Sequence, residues 1–198
     1  MAFANNPSQT DAVFDLADGL RQTDLYEQFL ERAHSQPAVD RIIRERYLAP
    51  VDDLERLLDG PPDSLGYQYA AQMKRMGLRP DFYPQLVVED DYSYIALRLR
   101  QTHDIWHAVT GFGTDLAGEV GLQAFLLAQM RSPLAVAIMA GSAMYALKSS
   151  TPLSPLVDRI HQGWQMGEKA SPFLAQKWEE NWEKSLSEWR DDLNVEAV

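Results

Sequence analysis

His103, Asp104, His107 and Glu119 are the residues of this chain whose types and spacing could do chemistry. Two histidines four apart share one face of a helix, with Cβ atoms about 5–6 Å apart, close enough for both imidazoles to reach one ion. At 3.6 residues per turn Asp104 falls within roughly 100° of both, so its carboxylate can join them. Between His107 and Glu119 the chain includes Gly111, Gly113 and Gly118, room to close one helix, turn, and bring back a carboxylate from the next. Neutral imidazole and carboxylate oxygen ligate zinc, manganese and non-haem iron, and a catalytic site keeps a coordination position open. The plain alternative is a solvated helix face, with Asp104 paired to Arg100 one turn earlier.

The HDxxH pattern differs from the HExxH of zinc peptidases, where glutamate is the general base, so peptidase chemistry is not implied. A His-Asp phosphohydrolase would need a further histidine and aspartate. His34 and Asp158 exist, but at no distinctive spacing.

The rest of the chain bounds what such a site could serve. At 198 residues it suits a single domain over 1–198, burying about 70% of the surface its unfolded form exposes. A net charge of −11 argues against nucleic-acid binding, which needs a basic stripe to displace counterions. There is no cysteine, which excludes disulfides, iron–sulfur clusters and thiolate catalysis. The N-terminal residues are not expected to act as a secretory or transit signal, and the longest apolar run, 134–147, is too short to span a bilayer. The expected location is the cytoplasm, with peripheral attachment to a membrane as an option.

Periodicity places the motif on helices. Helices are expected over 11–34, from Pro37 to Pro50, through Leu54–Leu58, and from a Ser64 cap to Gly77. The segment 78–89 reads as an extended loop. Asp90 or Asp91 should cap the helix that carries the histidines, and Thr114 or Asp115 the helix that carries Glu119. Ser132-Pro133 opens an apolar helix rich in alanine, whose small side chains allow close packing or an apolar channel. A last helix from Pro172 would line up Trp178, Trp182, Leu186, Trp189 and Leu193. No stretch alternates like a strand. The expected fold is all-α, a single-domain helical bundle with an apolar groove or tunnel between helices.

With these residues in view, the chain resembles the Coq-four family of coenzyme Q (ubiquinone) biosynthesis proteins, whose mark is HDxxH, eleven residues and a glutamate. His103, Asp104, His107 and Glu119 meet it in full. Ser64-Leu65-Gly66 with Tyr69, Arg98 and Arg100, Thr114 with Gly118-Glu119, Trp164 with Gly167, and Trp178-Glu179, Trp182-Glu183 and Arg190 fit further family elements, over about 57–195. The sequence departs at Phe112-Gly113, where the family has a proline before the threonine, and at Asp115 in place of asparagine.

The resemblance implies a divalent metal, zinc first, with magnesium, manganese or iron as alternatives. It implies oxidative C1 decarboxylation of a prenylated 4-hydroxybenzoate intermediate, with catalytic residues unassigned beyond the metal site itself. The partners implied are a prenylated aromatic or isoprenoid lipid and other quinone-biosynthesis proteins at a membrane; a homodimer is also open. A metal could act as a Lewis acid, and an apolar groove would bury the tail at about 0.8 kcal/mol per CH₂. Arg98 and Arg100 could hold a substrate carboxylate or phosphate. A non-catalytic lipid-binding scaffold is the alternative.

Overall fold

The computed structural model describes residues 19–21, 23–50, 53–78 and 87–198. Among them the regular structure is helical, with no strand beyond one isolated bridge between Ser64 and Ser185. The helices are α1 (Asp24–His34), α2 (Pro37–Glu45), α3 (Leu54–Leu58), α4 (Leu65–Met76), α5 (Asp91–Thr110), α6 (Leu116–Met130), α7 (Pro133–Lys148), α8 (Ser154–Lys169) and α9 (Leu186–Leu193). Short 3₁₀ turns cover Phe173–Ala175 and Trp178–Glu180. The expected helix over 11–34 is interrupted: Gly19 and Leu20 are helical, Thr23 is extended (φ −116°, ψ 157°), and α1 starts afresh at Asp24. Its portion before Gly19 lies outside the described residues, as does most of the expected loop 78–89. The chain forms two compact units, residues 1–35 with 112–170 and Val198, and residues 36–111 with 171–197.

In the first unit α6 and α8 approach so closely that side chains must be missing between them. A Cβ at Gly163 would lie 2.0 Å from the Gly121 carbonyl oxygen, and one at Gly167 would lie 2.6 Å from that of Phe125. Glycine is therefore required by contact, not by backbone angle. The alanine-rich α7 buries only Ala135, Gly141, Ser142 and Ala146, with Ala146 joining Val120 and Leu156 in a core cluster. Its other side leaves Val136, Ala140, Met144 and Leu147 exposed, at steps of four, four and three.

In the second unit α4 shows why the sequence around Ser64 has its pattern. Ser64 caps the helix by accepting from the Tyr67 N–H at 3.2 Å, and Leu65 is fully buried. Gly66 donates its N–H to the Trp182 carbonyl at 2.9 Å, and an added Cβ would press on Trp182 and Leu57. Tyr69, one turn on, stacks on the Trp182 ring at 5.3 Å. Helix α2 stops at Glu45, short of the expected Pro50, because Arg46 turns left-handed (φ 52°). That turn frees the Tyr47 carbonyl to accept from the Tyr94 hydroxyl at 2.9 Å.

The expected long helix from Pro172 does not form. The backbone of this segment is spent elsewhere: Leu65 N–H bonds the Lys184 carbonyl, Gly66 N–H that of Trp182, and Leu186 N–H that of Asp63. A carbonyl turned toward another segment of the chain points away from the N–H four residues on, so these residues do not continue an i→i+4 ladder. Ser185 and Glu188 then close a capping box, and α9 starts afresh at Leu186. The tryptophans still form one core. Trp106 meets Phe173 edge-on at 5.4 Å, Phe173 meets Trp178 at 5.2 Å, and Trp178 packs on Trp189 at 4.7 Å.

Candidate metal centre

Helix α5 positions the histidines, and both its ends are built by local chemistry. Asp90 and Ser93 exchange side-chain and backbone hydrogen bonds in a capping box. Gly111 ends the helix at φ 80°, a conformation few residues other than glycine adopt readily, and its N–H bonds the His107 carbonyl at 2.9 Å. Asp115 then caps α6, accepting from Ala117 and Gly118 N–H at 2.9 and 3.0 Å. Gly118 is compelled: a Cβ there would sit 1.9 Å from the Gly113 carbonyl oxygen. Glu119 follows at the end of the first turn.

His107 is 2% exposed, whereas His103 is half-buried. Their Nε2 atoms lie 3.1 Å apart, with ring centroids at 4.7 Å and planes at 88°. Two nitrogens of one metal ion, each about 2.0–2.1 Å from it, stand about 2.9 Å apart at a right angle and about 3.3 Å apart at the tetrahedral angle. The observed spacing falls inside that range. Two imidazole nitrogens at this spacing suit a divalent ion and leave coordination positions open for oxygen ligands. Glu119, in the other compact unit, is half-buried on α6. Asp104 follows His103 by 100° around the helix, whereas His107 follows it by only 40°, so the histidines align better with each other.

Arg98 and Arg100 have different surroundings. Arg98 is 0% exposed and bound within the protein. Its Nη1 pairs with Glu179 Oε1, and its Nη2 donates to Glu179 Oε2 at 2.9 Å and to the Gln176 carbonyl at 2.8 Å. Its guanidinium also lies 5.2 Å from the Tyr47 ring centroid. Four of its neighbours on α5, Tyr94, Thr102, Ile105 and Val109, are buried at steps that share its face. Periodicity alone could have revealed that an arginine on this face needs an acidic partner from elsewhere. Arg100 is half-buried.

The same cluster raises two phenols. Burial, with help from Glu179, pushes Tyr47 up to about 12. Burial likewise takes Tyr94 to about 12, against the opposing charges of Arg98 and Arg46. Unfolded tyrosines ionise near 10, so between about pH 10 and 12 the unfolded chain has lost protons that the folded chain keeps. Stability should be intact below pH 10 and fall as pH rises through 12. Urea denaturation from pH 8 to 12 checks this, and Tyr94→Phe should flatten the decline.

Comparison with known proteins adds ancestry to this geometry. The sequence profile described as "Coenzyme Q (ubiquinone) biosynthesis protein Coq4" matches residues 1–198, which takes in the N-terminal third as well. A mitochondrial ubiquinone biosynthesis protein coq4 of Botryotinia fuckeliana is 31% identical over 206 residues, covering 99% of this chain and 70% of that protein. Its counterpart in Uncinocarpus reesii is 29% identical, covering 96% and 69%. A crystal structure of a candidate ubiquinone biosynthesis protein from Nostoc punctiforme superposes with a TM-score of 0.88 at 36% identity, covering 96% of this chain and 91% of the other.

Proposed function

This chain belongs to the coenzyme Q (ubiquinone) biosynthesis protein Coq4 family, and from that premise we propose that it is a metal-dependent decarboxylase of prenylquinone synthesis. Its substrate is a prenylated 4-hydroxybenzoate intermediate. The observation that carries this reading is the His103–His107 nitrogen pair at 3.1 Å on one face of α5. These two imidazoles would hold the ion, zinc first among the divalent choices, with Glu119 as the carboxylate that the motif supplies and Asp104 bracing the site from outside it. A bound ion supplies Lewis acidity toward the ring acid's oxygens. The protein's own part is to fix two imidazoles on one helix face, one of them nearly excluded from water.

In the reaction the bond from C1 to the carboxylate breaks, carbon dioxide leaves, and C1 gains oxygen. With dioxygen as oxidant the balance closes as hydroxybenzoate plus O₂ giving a quinone-level ring, CO₂ and water. Purified metal-loaded protein, given a short-chain prenylated 4-hydroxybenzoate under oxygen, should release CO₂ stoichiometrically with loss of substrate. Tight binding of that acid with no CO₂ released would instead support the second reading, a non-catalytic prenyl-lipid scaffold.

Helix α7 favours that second reading, or a lipid-facing role within the first. Its exposed stripe is apolar, and between Glu119 and Asp158 the chain has no acidic residue, only Arg131 and Lys148 as charges. In a chain of net charge −11 that segment is the one suited to a prenyl lipid or a membrane interface. No described helix is long and apolar enough to cross a membrane, so contact there would be peripheral.

A further inference from the structure

Two arginines bracket the histidine pair, and they are held differently. Arg98, upstream on α5, is locked to Glu179. Arg190, on α9, meets the other end of α5 through carbonyls alone. Its Nε donates to the Val109 carbonyl at 2.9 Å and its Nη2 to the Ala108 carbonyl at 3.1 Å. These are among the last four carbonyls of α5, which lack helical N–H partners. The His107 carbonyl is already served by Gly111, so Arg190 takes up the next two in line. Among the described residues no carboxylate pairs with Arg190, and burial lowers its pKa with nothing opposing. Its charge faces the negative end of the α5 dipole.

The fork is itself held in place. The Ser185–Glu188 capping box starts α9, and neighbouring Trp189 packs on Trp178 at 4.7 Å. Resting on the metal reading above, we propose that Arg190 is a positioning residue for the metal centre. By tying down the carbonyls that directly follow His107, it keeps the last turn of α5 α-helical and so fixes the convergence of His107 and His103 on one ion. A fraying or tightening last turn would rotate His107 against His103, because ring direction follows the backbone turn. Removing the guanidinium has a second, opposite effect: it deletes a positive charge near the ion and would tighten binding. Geometry dominates here, since the charge is partly open to solvent and screened.

The test compares wild type, Arg190→Gln, Arg190→Lys and Leu57→Ala. The last is a destabilising control, a truncation of a buried core side chain on α3. Zinc affinity is read by competition with a chromophoric chelator, and ligand geometry by the absorption of the cobalt(II)-substituted protein. Arg190→Gln should weaken zinc binding at least tenfold and shift the cobalt bands. Arg190→Lys should recover part of the loss, since lysine keeps the charge without the fork. Leu57→Ala should retain wild-type affinity. Wild-type affinity and spectrum in Arg190→Gln, tighter binding there, or an equal loss in Leu57→Ala would each overturn the proposal. Wild-type protein that binds no ion at all overturns the metal reading, and this inference with it.

Discussion

His107→Ala protein should purify free of metal, whereas wild type should carry about one divalent ion per chain. His107 is more buried than His103, and its Nε2 lies 3.1 Å from His103 Nε2. Removing it leaves one imidazole and one carboxylate, too few protein ligands to compete with water and buffer for a zinc-type ion. His103→Ala should behave likewise. Asp104→Asn should keep the ion, because Asp104 lies about 100° around α5 from His103, off the line of the histidine pair. Elemental analysis of the purified proteins reads the outcome, with circular dichroism to separate metal loss from unfolding. Loss of decarboxylation should parallel loss of metal. A metal-free wild type, or a His107→Ala protein that retains its ion, would remove the basis of the proposed function.

Breaking the Arg98–Glu179 pair, which ties α5 to the 3₁₀ turn at Trp178–Glu180, should lower stability by about 3–5 kcal/mol. Arg98 has no exposed surface, so Glu179→Gln leaves a buried guanidinium without its counter-charge. Losing one partner of a buried pair costs about 3–5 kcal/mol, because the remaining charge stays desolvated. The double variant Arg98→Met, Glu179→Leu should recover most of that, since two apolar side chains of similar volume need no pairing. Urea denaturation midpoints measure both. A cost below about 1 kcal/mol for Glu179→Gln would show that water reaches Arg98 after all. The comparison also separates the two roles conceivable for Arg98. An arginine that held substrate would lose activity at unchanged stability, whereas one that braces α5 loses stability first.

Arg98 also marks where sequence reading reaches its limit. Its place on a helix one turn before the histidines was legible, and with it the idea of a free cation facing a substrate. Its partner is Glu179, far along the chain, and no local pattern names it. The C-terminal segment repeats the lesson. Steps of four and three between tryptophans read as one amphipathic helix, because periodicity registers which residues are buried and not how the backbone gets them there. Trp178 and Trp189 are buried, as the pattern requires, yet Trp182 reaches Tyr69 from a non-helical stretch bonded to residues 63–66.

The residues and spacing of the candidate site, HDxxH and its glutamate, are legible in the sequence. Helical spacing forces His103 and His107 onto one face, and Gly111 and Asp115 announce the turn and the cap that return Glu119. These are local effects, fixed by rotation per residue, side-chain capping and the left-handed freedom of glycine. Tertiary structure alone decided what supports the histidine pair. Glu179 is recruited to Arg98, and Arg190 is brought to the end of α5. Each of those outcomes depends on contacts between segments remote in sequence, whose geometry is set by packing and by where unpaired carbonyls and buried charges find their partners.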